Sequence, residues 1–274
     1  PPNLLGIRAA RATFPDVPHV AIFDTAFHRT LPLEAHTYAI DANLAAEHRI
    51  RRYGFHGTSH KYVSERAADL LGRPLHDVNT IVLHIGNGVS ACAVRGGESI
   101  DTSMGMTPLE GLVMGTRSGD IDPGILFHLH RQGEMTIAQM DDLLNRRSGL
   151  LGLAGSSDMR DVLASATRGE PRAKLAVDVY CHRIRHYVGA YYAQLGRIDA
   201  IAFTAGVGEN AAEIRARSLA GLEPMGIAVD ADRNASPGAD GRISTDNSAV
   251  AVLVIPTNEE LEIARQTLAT VDGA

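Results

Sequence analysis

Residues 79–123 read NTIVLHIGNGVSACAVRGGESIDTSMGMTPLEGLVMGTRSGDIDP, and this stretch decides the fold. Thr80–Leu83 is an apolar run of strand length, and Val89–Val94 is a second one beyond His84-Ile85-Gly86-Asn87-Gly88. Arg95-Gly96-Gly97 turns the chain into a third short strand, Glu98–Thr102. The spacing predicts a three-stranded antiparallel meander, with Gly86, Asn87 and Gly88 supplying the positive φ of a tight turn. A bare glycine turn also exposes several backbone N–H groups, a concavity that suits a phosphate. An ordinary hairpin is the plainer alternative.

Working outward, 274 residues are enough to bury a substantial core in one large or two modest domains. There are 26 basic and 32 acidic residues, a net charge of −6, with no long single-sign run. A nucleic-acid surface and a polybasic membrane patch are therefore not expected. No apolar stretch approaches bilayer length, and the first residues lack a signal-peptide pattern. Cys92 and Cys181 stand far apart, Cys92 in an apolar strand pattern, so buried reduced thiols and a cytoplasmic setting are expected.

Several residues outside the central stretch invite chemistry. Val20–Phe23 reads as a short buried strand, placing Asp24 just past its C-terminal end, where an α/β protein keeps reactive groups; the competing reading is that Asp24 caps the next helix. His56 sits in Phe55-His56-Gly57-Thr58-Ser59-His60, before a helix that runs to Leu71. The His56/His60 spacing suggests zinc, but the helix lacks an HExxH pattern and its cap falls between the two rings. Arg117, on the glycine-rich loop 115–119, is either a structural ion-pair partner or a donor fork for phosphate oxygens. Thr136-x-x-Gln139 is a capping box, and a long helix is expected over Arg172 to Leu195, ended by Gly196, whose tyrosines read as packing. Gly206-x-Gly208-x-x-Ala211 after an apolar strand is open to a Rossmann reading, with Asp230 closing the next strand as the ribose acid. Thr257-x-x-Glu260 reads as a second capping box, which leaves Glu259 without a local task beyond complementing the helix dipole.

His84-x-Gly86-x-Gly88, Met106-Thr107-Pro108-Leu109-Glu110-Gly111-Leu112 and Gly115-Thr116-Arg117-Ser118-Gly119-Asp120 together resemble the acetokinase family, in the acetate and sugar kinase/actin superfamily of ATPases. The resemblance extends from about Asn3 to the C-terminal helix. It implies an α/β, ribonuclease-H-like fold of the actin/hexokinase type, ATP/ADP and Mg2+ as cofactors, acetate and acetyl phosphate as substrates, and a homodimer. By the same resemblance Asp24, His56 and Arg117 are catalytic, Asp24 in a proton role and the other two against the transferring phosphoryl group. Phe55 and Pro108 line the acyl pocket, and His84, Gly86, Asn87 and Gly88 form the phosphate loop. Asp158, Met159, Arg160, Gly206, Val207, Gly208, Glu209 and Asn210 surround the nucleoside, and Glu259 binds magnesium. Met159 stands where the family often has an aromatic residue, which weakens stacking on the base.

The family opens with a further strand-rich segment carrying an Asn-x-Gly-Ser-Ser-Ser-Leu-Lys loop and an arginine for the acyl phosphate, neither of which is in this sequence. The expectation is a chain corresponding to the C-terminal two-thirds of the family, with 1–24 a remnant of the first domain and 25–274 the nucleotide-binding domain with the dimerisation surface. A propionate or other short-chain carboxylate kinase, and an ATP-binding fragment without full catalytic equipment, are the alternatives within that resemblance.

Overall fold

A computed structural model describes residues 2–273; the outermost residues of the two expected domains, Pro1 and Ala274, lie outside them. The meander forms as predicted. Strands β1 (Asn79–Ile85) and β2 (Val89–Arg95) pair antiparallel from Asn79↔Arg95 to Ile85↔Val89. Strand β3 (Glu98–Thr102) continues the meander, with an irregularity between Ala93 and Val94. Strands β4 (Ala200–Thr204) and β5 (Ala251–Val254) add to the other side in parallel, giving the order β3-β2-β1-β4-β5.

Before the sheet come α1 (Pro2–Thr13), α2 (Leu33–His36), α3 (Ala42–Glu47) and α4 (Gly57–Leu71). Between β3 and β4 lie α5 (Gly124–Gln132), α6 (Ile137–Arg146), α7 (Gly149–Ala154), α8 (Met159–Thr167) and α9 (Pro171–Leu195). Then α10 (Ala205–Asn210), α11 (Ala212–Leu219) and α12 (Ala231–Ala235) precede β5, and α13 (Glu259–Asp272) follows it. The capping box of α6 is present, Gln139 N donating to Thr136 Oγ1 at 3.3 Å and Thr136 N to Gln139 Oε1 at 2.8 Å.

Alternation along β1 sorts its side chains between two cores. Ile81, Leu83 and Ile85 share one with Tyr180, Ile184 and Val188 of α9, whereas Val82 joins Val63 and Ala67 of α4. A strand covered on both faces reads as a continuous apolar run, which is why β1 was visible in the sequence. Tyr180 and Tyr191 are core residues, as expected, and both cysteines are free and buried.

Four expectations need correction. Residues 20–23 form no strand: Phe23 is 69 % exposed, and an apolar run without a hydrogen-bonded neighbour has no ladder to join. The β1–β2 turn has positive φ at none of its three residues, because it closes through Gly86 N donating to Gly88 O at 3.1 Å. Asp230 ends no strand; its carboxylate caps α12 by accepting from Arg233 N, and the neighbour of β4 is β5. With that the dinucleotide reading lapses. Finally, the N-cap of α13 is Asn258, whose Oδ1 accepts from Leu261 N at 3.0 Å. Thr257 instead meets Ser59 Oγ at 2.9 Å, so Glu260 closes no capping box.

Candidate active site

The site is built where β1 and β4 end and α4 and α10 begin. His56 holds left-handed backbone angles, φ 55° and ψ 27°, immediately before α4. Such a conformation is costly for a residue with a Cβ and persists only when its surroundings fix it. Here the Asp24 carboxylate accepts from His56 N at 2.6 Å and the Asp24 carbonyl from Gly57 N at 2.9 Å. A Cβ on Gly57 would run into that carbonyl, so the position requires glycine. Asp24 therefore braces the start of α4 and not the next helical turn, Ala26–Thr30, which has no side-chain cap; its second oxygen is free of any bond among the described residues.

The His56 ring stacks on His84 with centroids 4.1 Å apart, and its Nδ1 lies 2.9 Å from Ser90 Oγ. Its Nε2 faces Gly88. A Cβ on Gly88 would stand 3.3 Å from that nitrogen and 3.4 Å from Arg117 Nη1, so the missing side chain is what lets imidazole and guanidinium converge on the turn. Close approach, not backbone freedom, explains this glycine. Arg117 Nη1 donates to Pro108 O at 3.1 Å, which brings Pro108 to the same place; Phe55 precedes His56 and its carbonyl accepts from His28 Nε2 at 3.0 Å. Burial, opposed by Asp24 and aided by Arg117, lowers the pKa of His56. The ring is thus a neutral hydrogen-bonding group near pH 7.

Beyond the turn opens a cavity of about 890 Å³ lined by Gly86, Asn87, Asp158, Met159, Arg160, Gly206, Val207 and Asn210, among others. The structure thus gathers residues from three distant segments that the sequence had nominated together. Asp158 and Arg160 pair with each other at 2.5 Å on the rim, while Met159 is 4 % exposed and gives the cavity an apolar floor. Gly208 and Glu209 line none of it. Gly208 packs against β1, where a Cβ would meet Ile85 Cβ at 3.6 Å. Glu209 Oε1 accepts from Ala205 N at 2.8 Å and Thr257 N at 3.3 Å, tying α10 to the segment that leads into α13. His84 likewise supports His56 by stacking and bonds Ser59 Oγ through Nδ1.

At the other end, Glu259 is half-buried at the first position of α13 while Glu260 is exposed. The pKa of Glu259 is raised, first by burial and then by the charge of Asp24. An acid whose ionisation is opposed by burial and by a neighbouring carboxylate suits a cation between the two. No group of three or more His, Cys, Asp or Glu among the described residues is arranged to hold a metal. Magnesium needs only one or two carboxylates when phosphate oxygens and water complete its shell, so the donor set fits.

His28, Ser59, Ser90 and Ser99 were not recognisable from the sequence as parts of the site. His28 is 1 % exposed and bonds Ser99 Oγ at 2.8 Å, and Ser90 joins His56 to His60. Buried serine on a strand carries no pattern; only the density of histidines hinted at this layer.

A β3-β2-β1-β4-β5 sheet with a cleft where its parallel strands end is the α/β fold of the actin and hexokinase type. The profile of the acetokinase family matches residues 1–265, and the chain belongs to that family. It is 67 % identical over 274 residues to the acetate kinase of Clavibacter michiganensis subsp. michiganensis, covering 100 % of this chain and 69 % of that protein. The crystal structure of Porphyromonas gingivalis acetate kinase superposes with a TM-score of 0.95 at 44 % identity, over 98 % of this chain and 68 % of that one. That of a propionate kinase from Francisella tularensis subsp. tularensis gives 0.90 at 47 % identity, over 95 % and 67 %. The family is one of ATP-dependent phosphotransferases with a carboxyl group as acceptor, and the chain is of that class.

Proposed function

We propose that this chain carries the nucleotide and phosphoryl half of an acetate kinase site, transferring the γ-phosphoryl group of ATP reversibly to acetate by direct in-line displacement. An acetate oxygen forms a bond to the γ-phosphorus as the bond from that phosphorus to the β,γ-bridging oxygen breaks, giving acetyl phosphate and ADP. Little covalent help is needed for such a transfer; positioning and charge neutralisation supply most of the catalysis. The observation that carries the reading is the convergence of His56 Nε2 and Arg117 on Gly88, between the 890 Å³ cavity and the acids Asp24 and Glu259.

In this assignment the nucleoside lies against Gly206, Val207, Asn210 and Met159, with Asp158 and Arg160 at its rim. The phosphates run along Gly86, Asn87 and Gly88 toward His56 and Arg117, which donate to the oxygens where negative charge spreads. Magnesium, when bound, would supply positive charge against the phosphates. Glu259 and the free oxygen of Asp24 would hold it, and Asp24 would orient the nucleophile. Phe55 and Pro108 form the wall facing the acyl group. A propionate acceptor differs by one methylene, worth only ~1–3 kcal/mol in an apolar pocket. Residues 25–274 are the proposed nucleotide-binding domain, and a homodimer is the proposed assembly.

Calorimetry with ATP and magnesium, followed by acetyl phosphate trapping with hydroxylamine, tests this directly. ATP binding with acetate-dependent trapping supports the assignment. ATP binding without turnover leaves a nucleotide-binding fragment, and no ATP binding rejects the site altogether.

A further inference from the structure

Ser90 Oγ lies 2.9 Å from His56 Nδ1 and 2.7 Å from His60 Nε2. One hydroxyl has one hydrogen, so it donates to one ring and accepts from the other. Which way the bond runs is settled at the far side of His60. That ring is fully buried, and its Nδ1 has no partner among the described residues. Burial and the three neighbouring histidines hold its pKa well below 6.5, so it carries a single proton.

There are two arrangements. In one, His60 is protonated on Nδ1, leaving an N–H buried with nothing to receive it; Ser90 then donates to His60, His56 donates to Ser90 from Nδ1, and His56 Nε2 is a bare lone pair. In the other, His60 carries its proton on Nε2 and donates to Ser90, Ser90 donates to His56 Nδ1, and the proton of His56 sits on Nε2. The second leaves only an unused lone pair inside the protein, and it gives both rings the intrinsically favoured neutral tautomer. Orphaned buried donors are rarer than under-used acceptors. The second arrangement wins.

We infer that Ser90 and His60 are positioning residues that fix His56 in its Nε2–H tautomer, so that the nitrogen over Gly88 beside Arg117 presents a donor to the transferring phosphoryl group. A bare nitrogen there would face phosphate oxygens with a lone pair and oppose the charge that Arg117 neutralises. The inference rests on the assignment of His56 to phosphoryl transfer, and it extends the site to a serine on β2 and a core histidine on α4.

The test is two-bond proton–nitrogen NMR of the protein labelled with nitrogen-15 at histidine side chains, near pH 7.5, with His56→Gln used to assign the ring. The expected spectrum shows a protonated Nε2 and a bare Nδ1 at His56. Ser90→Ala should give a mixture of tautomers and lower kcat by about tenfold or more, with the KM for ATP little changed. His60→Gln, whose amide N–H reaches the place of Nε2, should keep the parent pattern at His56, as a residue needed only for packing would not. A parent spectrum with the proton on Nδ1, or a Ser90→Ala spectrum identical to the parent, overturns the relay; the parent spectrum decides even if the variant does not fold. An Nε2–H spectrum beside a fully active His56→Ala variant upholds the relay and overturns only the catalytic assignment.

Discussion

Acid should weaken this fold through His28 in a measurable and separable way. His28 is 1 % exposed, and its pKa is lowered from 6.5 to about 4. Burial is the chief cause; the hydrogen bond to the Phe55 carbonyl and the charge of Asp24 oppose it, and His56 adds to it. Because the folded value is depressed, the unfolded chain binds the proton first. The full stability is present above pH 6.5 and is lost as pH falls toward 4, at ~1.4 kcal/mol per pH unit for this group. Over that window the loss is about 3 kcal/mol, and between pH 7 and pH 5 about 2 kcal/mol. His28→Gln keeps a donor for the Phe55 carbonyl and removes the titration. Urea melts of both proteins at pH 7 and pH 5 should show the parent losing about 2 kcal/mol more than the variant, which at a slope near 2 kcal/mol/M is a midpoint difference of about 1 M. Equal losses in the two proteins would refute the reasoning, since the other histidines are common to both.

Further outcomes follow from particular contacts. Gly57→Ala forces a methyl group against the Asp24 carbonyl and should cost about 2–3 kcal/mol in a denaturant melt. Asn258→Ala should cost about 1 kcal/mol of stability through the lost cap of α13, whereas Glu260→Ala, at an exposed position outside the cap, should change the melt by less than about 0.5 kcal/mol. Glu259→Gln should raise the magnesium concentration needed for half-maximal activity with little change in melting temperature; a shift seen with Glu260→Gln instead would move the metal site. Arg117→Ala should lower kcat by roughly 10²–10³ with a smaller effect on the KM for ATP, as steady-state kinetics would show.

Much of this was legible in the chain, for reasons that can be named. β1 announced itself because both of its faces are buried, whereas the residues that line the cavity were nominated by the resemblance to the acetokinase family, their local patterns being equally open to a hairpin, a helix cap and a dinucleotide fingerprint. The failures share a cause. Thr257 and Asn258 are both good caps, and the choice fell to Asn258 while Thr257 Oγ1 met Ser59, 198 positions away. Gly88 is glycine because of two side chains brought in from residues 56 and 117, not because of its own φ. Val20–Phe23 had strand composition but no partner among the described residues. Tertiary contacts decide such questions, and local pattern cannot see them.

The Glu209 carboxylate has a mechanical consequence. A single oxygen accepts from Ala205 N at the start of α10 and from Thr257 N two residues before Glu259. β4 and β5, which lead into these two segments, are already laced together by parallel pairing. The α10 side of the cavity and Glu259 are therefore joined through one carboxylate, so in the proposed assignment the distance from nucleoside to magnesium is set by the β4–β5 pairing rather than by a loop. The opposite bank, the Ser157–Arg160 rim at the start of α8, has no share in that bond, so the two sides of the cleft are held by different contacts.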